Sequence, residues 1–171
     1  MKRIILMVLK LFYIAPYYVY RIGKFGKQQP VDYDAAYAYI QMVTRRANRA
    51  GRVTVEAYGK ENIPGENGFI FFPNHQGMFD VVAIGATCDN PLAVVMKKEL
   101  KDAPLLKQIM QCTNSFAMDR EDVRQSLTVI QSVIQEVKKG RNYLIFPEGT
   151  RSKNGNTMGE FHGGSFRCAL K

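Results

Sequence analysis

From Gly68 onward the sequence alternates short apolar runs with helix-length stretches, and that alternation restricts the fold more than any other feature. Gly68 to Phe72, Pro91 to Met96, Ser115 to Met118 and Asn142 to Phe146 are short apolar runs that read as strands. Between them helices are expected from Asp80 to about Ala86, near Ala103 to Gln111, and from Glu121 to Lys139. In the last, Val123, Leu127, Ile130, Ile134 and Val137 recur at alternating steps of four and three, acids open the segment, lysines close it and Gly140 stops it. Repeated strand-helix-strand units imply an α/β fold with a largely parallel sheet flanked by helices, whose ligand sites lie at the carboxyl ends of the strands. A further, half-buried strand is expected at Arg52 to Ala57, where polar and apolar residues alternate, with Asn62 to Asn67 as the turn into Gly68.

The chain before residue 51 has another character. Met1 to Tyr20 is apolar and aromatic, interrupted only by Lys10 and Pro16, with Lys2, Arg3, Arg21, Lys24 and Lys27 at its flanks. It lacks the small-residue cleavage site of a signal peptide, and its uninterrupted runs are short for a spanning helix. Tyrosines and basic flanks suit the interfacial zone, so a membrane-embedded or interfacial anchor is expected, with a buried core helix as the alternative. Gly23 to Pro30 reads as a connector. Asp32 to Ala50 reads as a helix opened by acids and closed by Arg45, Arg46, Arg49 and then Gly51, the arginines facing solvent or lipid phosphate. The division is a membrane-associated helical segment over residues 1–50 and one α/β domain over 51–171, within reach of a 171-residue chain. Formal charge is +9, which permits anionic lipid, phosphate-bearing substrates or nucleic acid. The aromatic residues gather near the N-terminus rather than interleaving with basic ones, and no nucleic-acid motif is present, so no nucleic-acid partner is expected. Cys88, Cys112 and Cys168 fit no metal spacing, so free thiols, no metal and a reducing compartment are expected, which with the anchor means the cytoplasmic face of the cell membrane.

Three polar blocks fall at the expected strand ends. The first, Asn74-His75-Gln76-Gly77-Met78-Phe79-Asp80, holds one of two histidines. Residues five apart sit about 140° apart around a helix and on opposite faces of a strand, so His75 and Asp80 can meet only across a turn. Pro73, Asn74 and Gly77 supply one, and Asp80 then lies in the first turn of the next helix, where the dipole favours a carboxylate. A histidine with a carboxylate partner makes a general base that works near neutral pH. The second block, Ser115 to Arg120, ends in Asp119-Arg120, an arginine placed either for bidentate phosphate recognition or for a salt bridge. The third, Phe146-Pro147-Glu148-Gly149-Thr150-Arg151-Ser152, puts a carboxylate, a glycine, a hydroxyl and an arginine after a buried strand, as a ligand site or as a polar turn. Lys98 contacts phosphate or is solvated, and Asn74 is a candidate to orient the first loop.

In order and spacing these blocks resemble those of the glycerolipid acyltransferase family, whose best-known members acylate 1-acylglycerol-3-phosphate. The resemblance covers roughly Val53 to Gly164 and rests chiefly on the first and third blocks together. It implies acyl transfer from acyl-CoA or acyl carrier protein to the free hydroxyl of lysophosphatidic acid, making phosphatidic acid at a membrane surface without a cofactor. His75 is then the general base and Asp80 its orienting partner. Glu148 and Gly149 bind the acceptor's glycerol, Arg120 and Arg151 its phosphate, and Thr150 completes the substrate-binding set. The family's fourth block, an apolar strand containing a proline, does not occur before Lys171, so a C-terminally incomplete member is expected.

The chemistry needs no enzyme nucleophile. His75 takes the proton of the acceptor hydroxyl as it attacks the thioester carbonyl, then returns a proton to the leaving thiolate. Backbone N–H groups around Gly77 are candidate oxyanion donors. Cys88 and Cys112 have no basic partner in the sequence for a covalent route. Two rival readings are an acyltransferase acting on glycerol-3-phosphate, a lyso-phospholipid or a lyso-aminolipid, and a non-catalytic basic module bound to a membrane.

Overall fold

In the computed structural model, which describes residues 2–152 and 157–169, Ile70–Phe71 (β1), Leu92–Lys97 (β2), Phe116–Met118 (β3) and Asn142–Leu144 (β4) form one sheet. All neighbours are parallel and the spatial order is β1-β4-β2-β3. The register sets Ile70 beside Tyr143, Val94 beside Leu144 and Val95 beside Phe116. The helices are Lys2–Leu11 (α1), Ala15–Gly26 (α2), Tyr33–Ala50 (α3), Asp80–Thr87 (α4), Leu106–Thr113 (α5) and Val123–Lys138 (α6). The expected largely parallel α/β sheet is thus present.

Alternation along the strands divides the core in two. Ala93, Val95, Tyr143 and Ile145 point to α6, where Val129, Ile130 and Val133 are buried against them. Leu92, with Phe69 and Phe71, packs on the other face with Tyr37 of α3 and Ile84 of α4. β4 lies between β1 and β2 and is buried at every residue, as a central strand must be. Asn142 satisfies its own buried side chain by accepting from Gly68 N–H and Phe69 N–H and donating to Asn67 Oδ1 and Pro91 O, which ties the amino ends of three strands together.

Several expectations are corrected. Arg52 to Ala57 is no strand: Arg52 sits in a turn with φ 54°, and Val53 to Ala57 pair with no strand among the described residues, because the half-burial of Val53 and Val55 reports only which side faces protein. The helix expected near Ala103 begins at Leu106, after Pro104 and after Leu105, whose φ of 71° is incompatible with a helix. In α6, Val123 and Leu127 stand exposed while Val129 and Val133 are buried, so the buried stripe lies to one side of the one read from the spacing. Met1 to Tyr20 is not one segment: α1 and α2 meet at 86°, and Pro16 opens α2 rather than breaking a helix. Gly23 to Gly26 belongs to α2, not to a connector. A Cβ on Gly26 would stand 3.0 Å from Gln111 Cβ, so this glycine lets α2 and α5 approach closely.

The N-terminal helices share residues with the core and also face outward. Ile22 of α2 joins Ala36 of α3 and Cys112 of α5 in a third cluster, and Met7 of α1 lies against Gly51. Ile5, Val8, Leu9, Phe12, Tyr13, Tyr17 and Tyr20 are each more than half exposed. Among the described residues no single helix is long and apolar enough to cross a membrane; α1 and α2 reach that length only together, across their bend. All three cysteines are free and buried.

Candidate active site

Because every strand is parallel, the loops after β1, β2, β3 and β4 emerge on one edge of the sheet, and the three polar blocks are in those loops. After β1 the chain turns through Pro73 to Phe79 and enters α4 at Asp80. One oxygen of Asp80 organises the turn: Oδ2 accepts from Gln76 N–H at 2.7 Å and from Gly77 N–H at 2.9 Å, and lies 2.7 Å from His75 Nδ1. An acceptor in that position requires the proton on Nδ1, so Nε2 carries the free lone pair. The imidazole is stacked on Phe146, ring centroids 4.0 Å apart, which fixes its plane. Less than a fifth of either side chain is exposed. The pairing inferred from the spacing is therefore made, by the turn that it required. The N–H groups of Gln76 and Gly77, expected as oxyanion donors, are instead committed to Asp80, because the carboxylate needs them to hold the turn.

The third block lies beside the first because β4 neighbours β1. Glu148, expected against the acceptor's glycerol, is 2% exposed and has both oxygens occupied by backbone. Oε1 accepts from His75 N–H at 2.5 Å and Oε2 from Gly159 N–H at 2.7 Å. It joins the His75 loop to the segment after the third block. Ser152 N–H closes the same junction on His75 O at 2.8 Å. Asn74 is exposed and makes no hydrogen bond with the described residues, so Glu148 and Ser152 orient the loop in its place. Thr150 and Arg151 are exposed at the rim of the same edge.

Gly149 is where the second and third blocks meet. Its φ of +65° favours glycine, and a Cβ there would begin 3.1 Å from His162 Cδ2, 3.3 Å from His162 Nε2 and 3.9 Å from Arg120 Nε. His162, whose N–H is held by Pro147 O at 2.9 Å, had no signal in the spacing; only its being the second of two histidines could have marked it. Lys98, expected on phosphate or in solvent, is hydrogen-bonded to Asp119 Oδ2. That bond holds the Asp119 carboxyl below the usual carboxylate range and raises the Lys98 ammonium. Asp119 being taken, the Arg120 guanidinium forms no hydrogen bond or ion pair with the described residues. The salt-bridge reading of Arg120 thus lacks its partner, and the edge presents a base at Nε2 of His75 and an unpaired cation at Arg120.

An acyltransferase family model matches residues 54–171. A 1-acyl-sn-glycerol-3-phosphate acyltransferase of Saccharomyces cerevisiae is 32% identical over 117 residues, taking in 67% of this chain and 38% of that protein. The enzyme of the same name from Borreliella burgdorferi is 30% identical over 113 residues, 66% of this chain and 45% of its own length. Among solved structures, the 1-acyl-sn-glycerophosphate (LPA) acyltransferase PlsC of Thermotoga maritima superposes with a TM-score of 0.71 at 25% identity, covering 98% of this chain and 69% of that one. The matched stretch spans less than half the length of those two curated relatives. The match to the family model runs from residue 54 through all three polar blocks, and the chain belongs to the acyltransferase family.

Proposed function

We propose that the chain transfers an acyl group from acyl-CoA or acyl carrier protein to the free hydroxyl of 1-acylglycerol-3-phosphate, giving phosphatidic acid at the cytoplasmic face of a membrane. The observation that carries the reading is the 2.7 Å contact of His75 Nδ1 with Asp80 in a member of this family. The acceptor is supported by the names of the relatives. His75 Nε2 takes the proton of the acceptor hydroxyl as its oxygen attacks the thioester carbonyl. The C–S bond then breaks and the imidazolium returns that proton to the thiolate sulfur. Asp80 stabilises the imidazolium between these steps and keeps Nε2 facing out. Arg120, with Arg151 at the rim, holds the acceptor phosphate, and Gly149 and Thr150 lie along its glycerol. The test is transfer of radiolabelled acyl-CoA to a panel of acceptors. Labelled phosphatidic acid from lysophosphatidic acid is expected; labelling only of glycerol-3-phosphate or a lyso-phospholipid overturns the acceptor, and no labelling of any overturns the enzyme in favour of a binding module.

Arg120 separates binding from chemistry. Charge-assisted contacts contribute about 1.5–3 kcal/mol, or roughly 10- to 150-fold, so Arg120→Ala is expected to raise the acceptor KM by that factor. Donor KM and thioester hydrolysis by water should not change, since neither uses the acceptor phosphate. Arg120→Lys should recover part, a point charge replacing a planar fork. Unchanged acceptor KM in both variants removes Arg120 from the site.

The outward apolar face of α1 and α2 is the membrane contact in this reading. α2 supplies two core residues, Tyr18 and Ile22, and α1 one, Met7, so the deletion that removes least of the core stops before α2. Removing residues 1–13 is expected to shift the protein from vesicle-bound to soluble fractions, while high salt leaves the intact chain bound. Release of the intact chain by salt alone means that the attachment is electrostatic.

A further inference from the structure

We infer a second anion site, in the helical layer rather than at the strand ends: Tyr18 and Arg21 of α2 with Tyr39 and Arg46 of α3 take the phosphate of an anionic phospholipid. Tyr18 and Arg21 are three apart on α2 and share a face. The Tyr18 ring meets that of Tyr39 edge-on, centroids 6.5 Å apart. The Arg21 guanidinium lies 5.7 Å from the Tyr39 ring centroid and that of Arg46 lies 5.9 Å from that of Tyr18, so the two rings hold two cations. Neither arginine forms an ion pair with a carboxylate among the described residues. Tyr18 is 5% exposed, yet its hydroxyl has no hydrogen-bond partner, and the buried Nε of Arg21 has none either.

Two orphaned buried groups that can both donate, set among two cations without a carboxylate partner, one of them, Arg21, also hydrogen-bonded to Tyr39, define what fits. The complement is an acceptor with several oxygens and negative charge, and guanidinium geometry matches phosphate. The lipid source follows from the neighbours. Tyr17, whose ring lies 6.2 Å from that of Tyr18, belongs to the exposed apolar face that continues through Tyr13, Phe12 and Leu9. A phospholipid with its tails along that face brings its headgroup to Arg46, the exposed member of the cluster beside the Tyr18 ring. This part rests on the membrane-contact reading of α1 and α2.

The test is flotation of the full chain with vesicles of phosphatidylcholine alone or with added phosphatidate. Wild type is expected to bind both, and phosphatidate to increase the affinity. Tyr18→Phe changes no charge and preserves packing. It is expected to leave binding to phosphatidylcholine and the melting temperature unlipidated at or above wild type, while losing about ten-fold of the phosphatidate increment. Arg46→Lys should lose most of the increment, and Arg49→Gln, a charge change on the same helix outside the cluster, only the few-fold expected of general attraction to an anionic surface. A full increment in Tyr18→Phe, or equal losses in Arg46→Lys and Arg49→Gln, overturns the site and leaves diffuse electrostatics. If wild type binds no vesicle, the membrane-contact reading fails, and the cluster is judged by melting of the Arg120→Ala protein with dihexanoyl phosphatidate. Stabilisation there that Tyr18→Phe abolishes upholds the site; no stabilisation, or the same stabilisation from inorganic phosphate, overturns it as a lipid site.

Discussion

His75→Ala is expected to lower acyl transfer by about 10²–10⁴-fold, the range a positioned general base contributes, with little change in melting temperature. Two neighbouring contacts make the companion variants informative. Asp80 Oδ2 serves both the imidazole and the turn, accepting from Gln76 and Gly77 as well as from His75. In Asp80→Asn the amide oxygen can take the same three contacts, so the loop stays formed while the negative charge that stabilises the imidazolium is gone. A large fall in kcat with an intact fold is expected. Asp80→Ala removes the charge and also leaves two backbone N–H groups without their acceptor, so it should lose stability as well. Measuring kcat/KM and melting temperature for the three variants decides between roles. His75→Ala that retains wild-type turnover overturns the base, and Asp80→Asn that unfolds like Asp80→Ala shows the carboxylate charge to be structural.

Why the first block was legible while its supports were not is a matter of sequence distance. His75 and Asp80 are five residues apart, and Pro73, Asn74 and Gly77 announce the turn between them, so local geometry suffices. The strands of the sheet were visible for the same reason, as apolar runs between helices of readable period. The order β1-β4-β2-β3 is not local. It alone brings Glu148 to His75 across 73 residues and sets Lys98, read as on phosphate or solvated, against Asp119 across 21, contacts that no local pattern could announce. Arg52 to Ala57 fails in the opposite direction, since a strand pattern specifies a buried side but not a partner. Gly23 and Gly26 mislead because glycine marks close approach between helices as readily as it marks a break, and only the position of α5 tells the two apart.

Glu148 gives the second large effect, and the two readings of it predict different measurements. As a brace, its carboxylate accepts one backbone N–H on each oxygen, His75 on one side and Gly159 on the other. Glu148→Ala leaves both donors without their acceptor; hydrogen bonds to a charged group contribute about 1.5–3 kcal/mol each, and in a chain of this size one kcal/mol corresponds to roughly 2–4 °C in Tm. A loss of several degrees or more is expected. Among the described residues the backbone of His75 is then held by Ser152 alone, and a displacement of about 1 Å at the reacting groups can lower turnover about 10²-fold. Glu148→Gln is not conservative here, because its amide NH2 must face one of the two N–H groups, so one contact becomes a clash between donors. It should therefore lose stability and kcat together, with acceptor KM little changed. As a ligand to the acceptor's glycerol, the same carboxylate predicts that Glu148→Gln keeps its melting temperature and raises acceptor KM. Thermal melts with acceptor and donor kinetics on both variants separate these outcomes, and a stable Glu148→Gln protein with a raised acceptor KM returns Glu148 to the substrate.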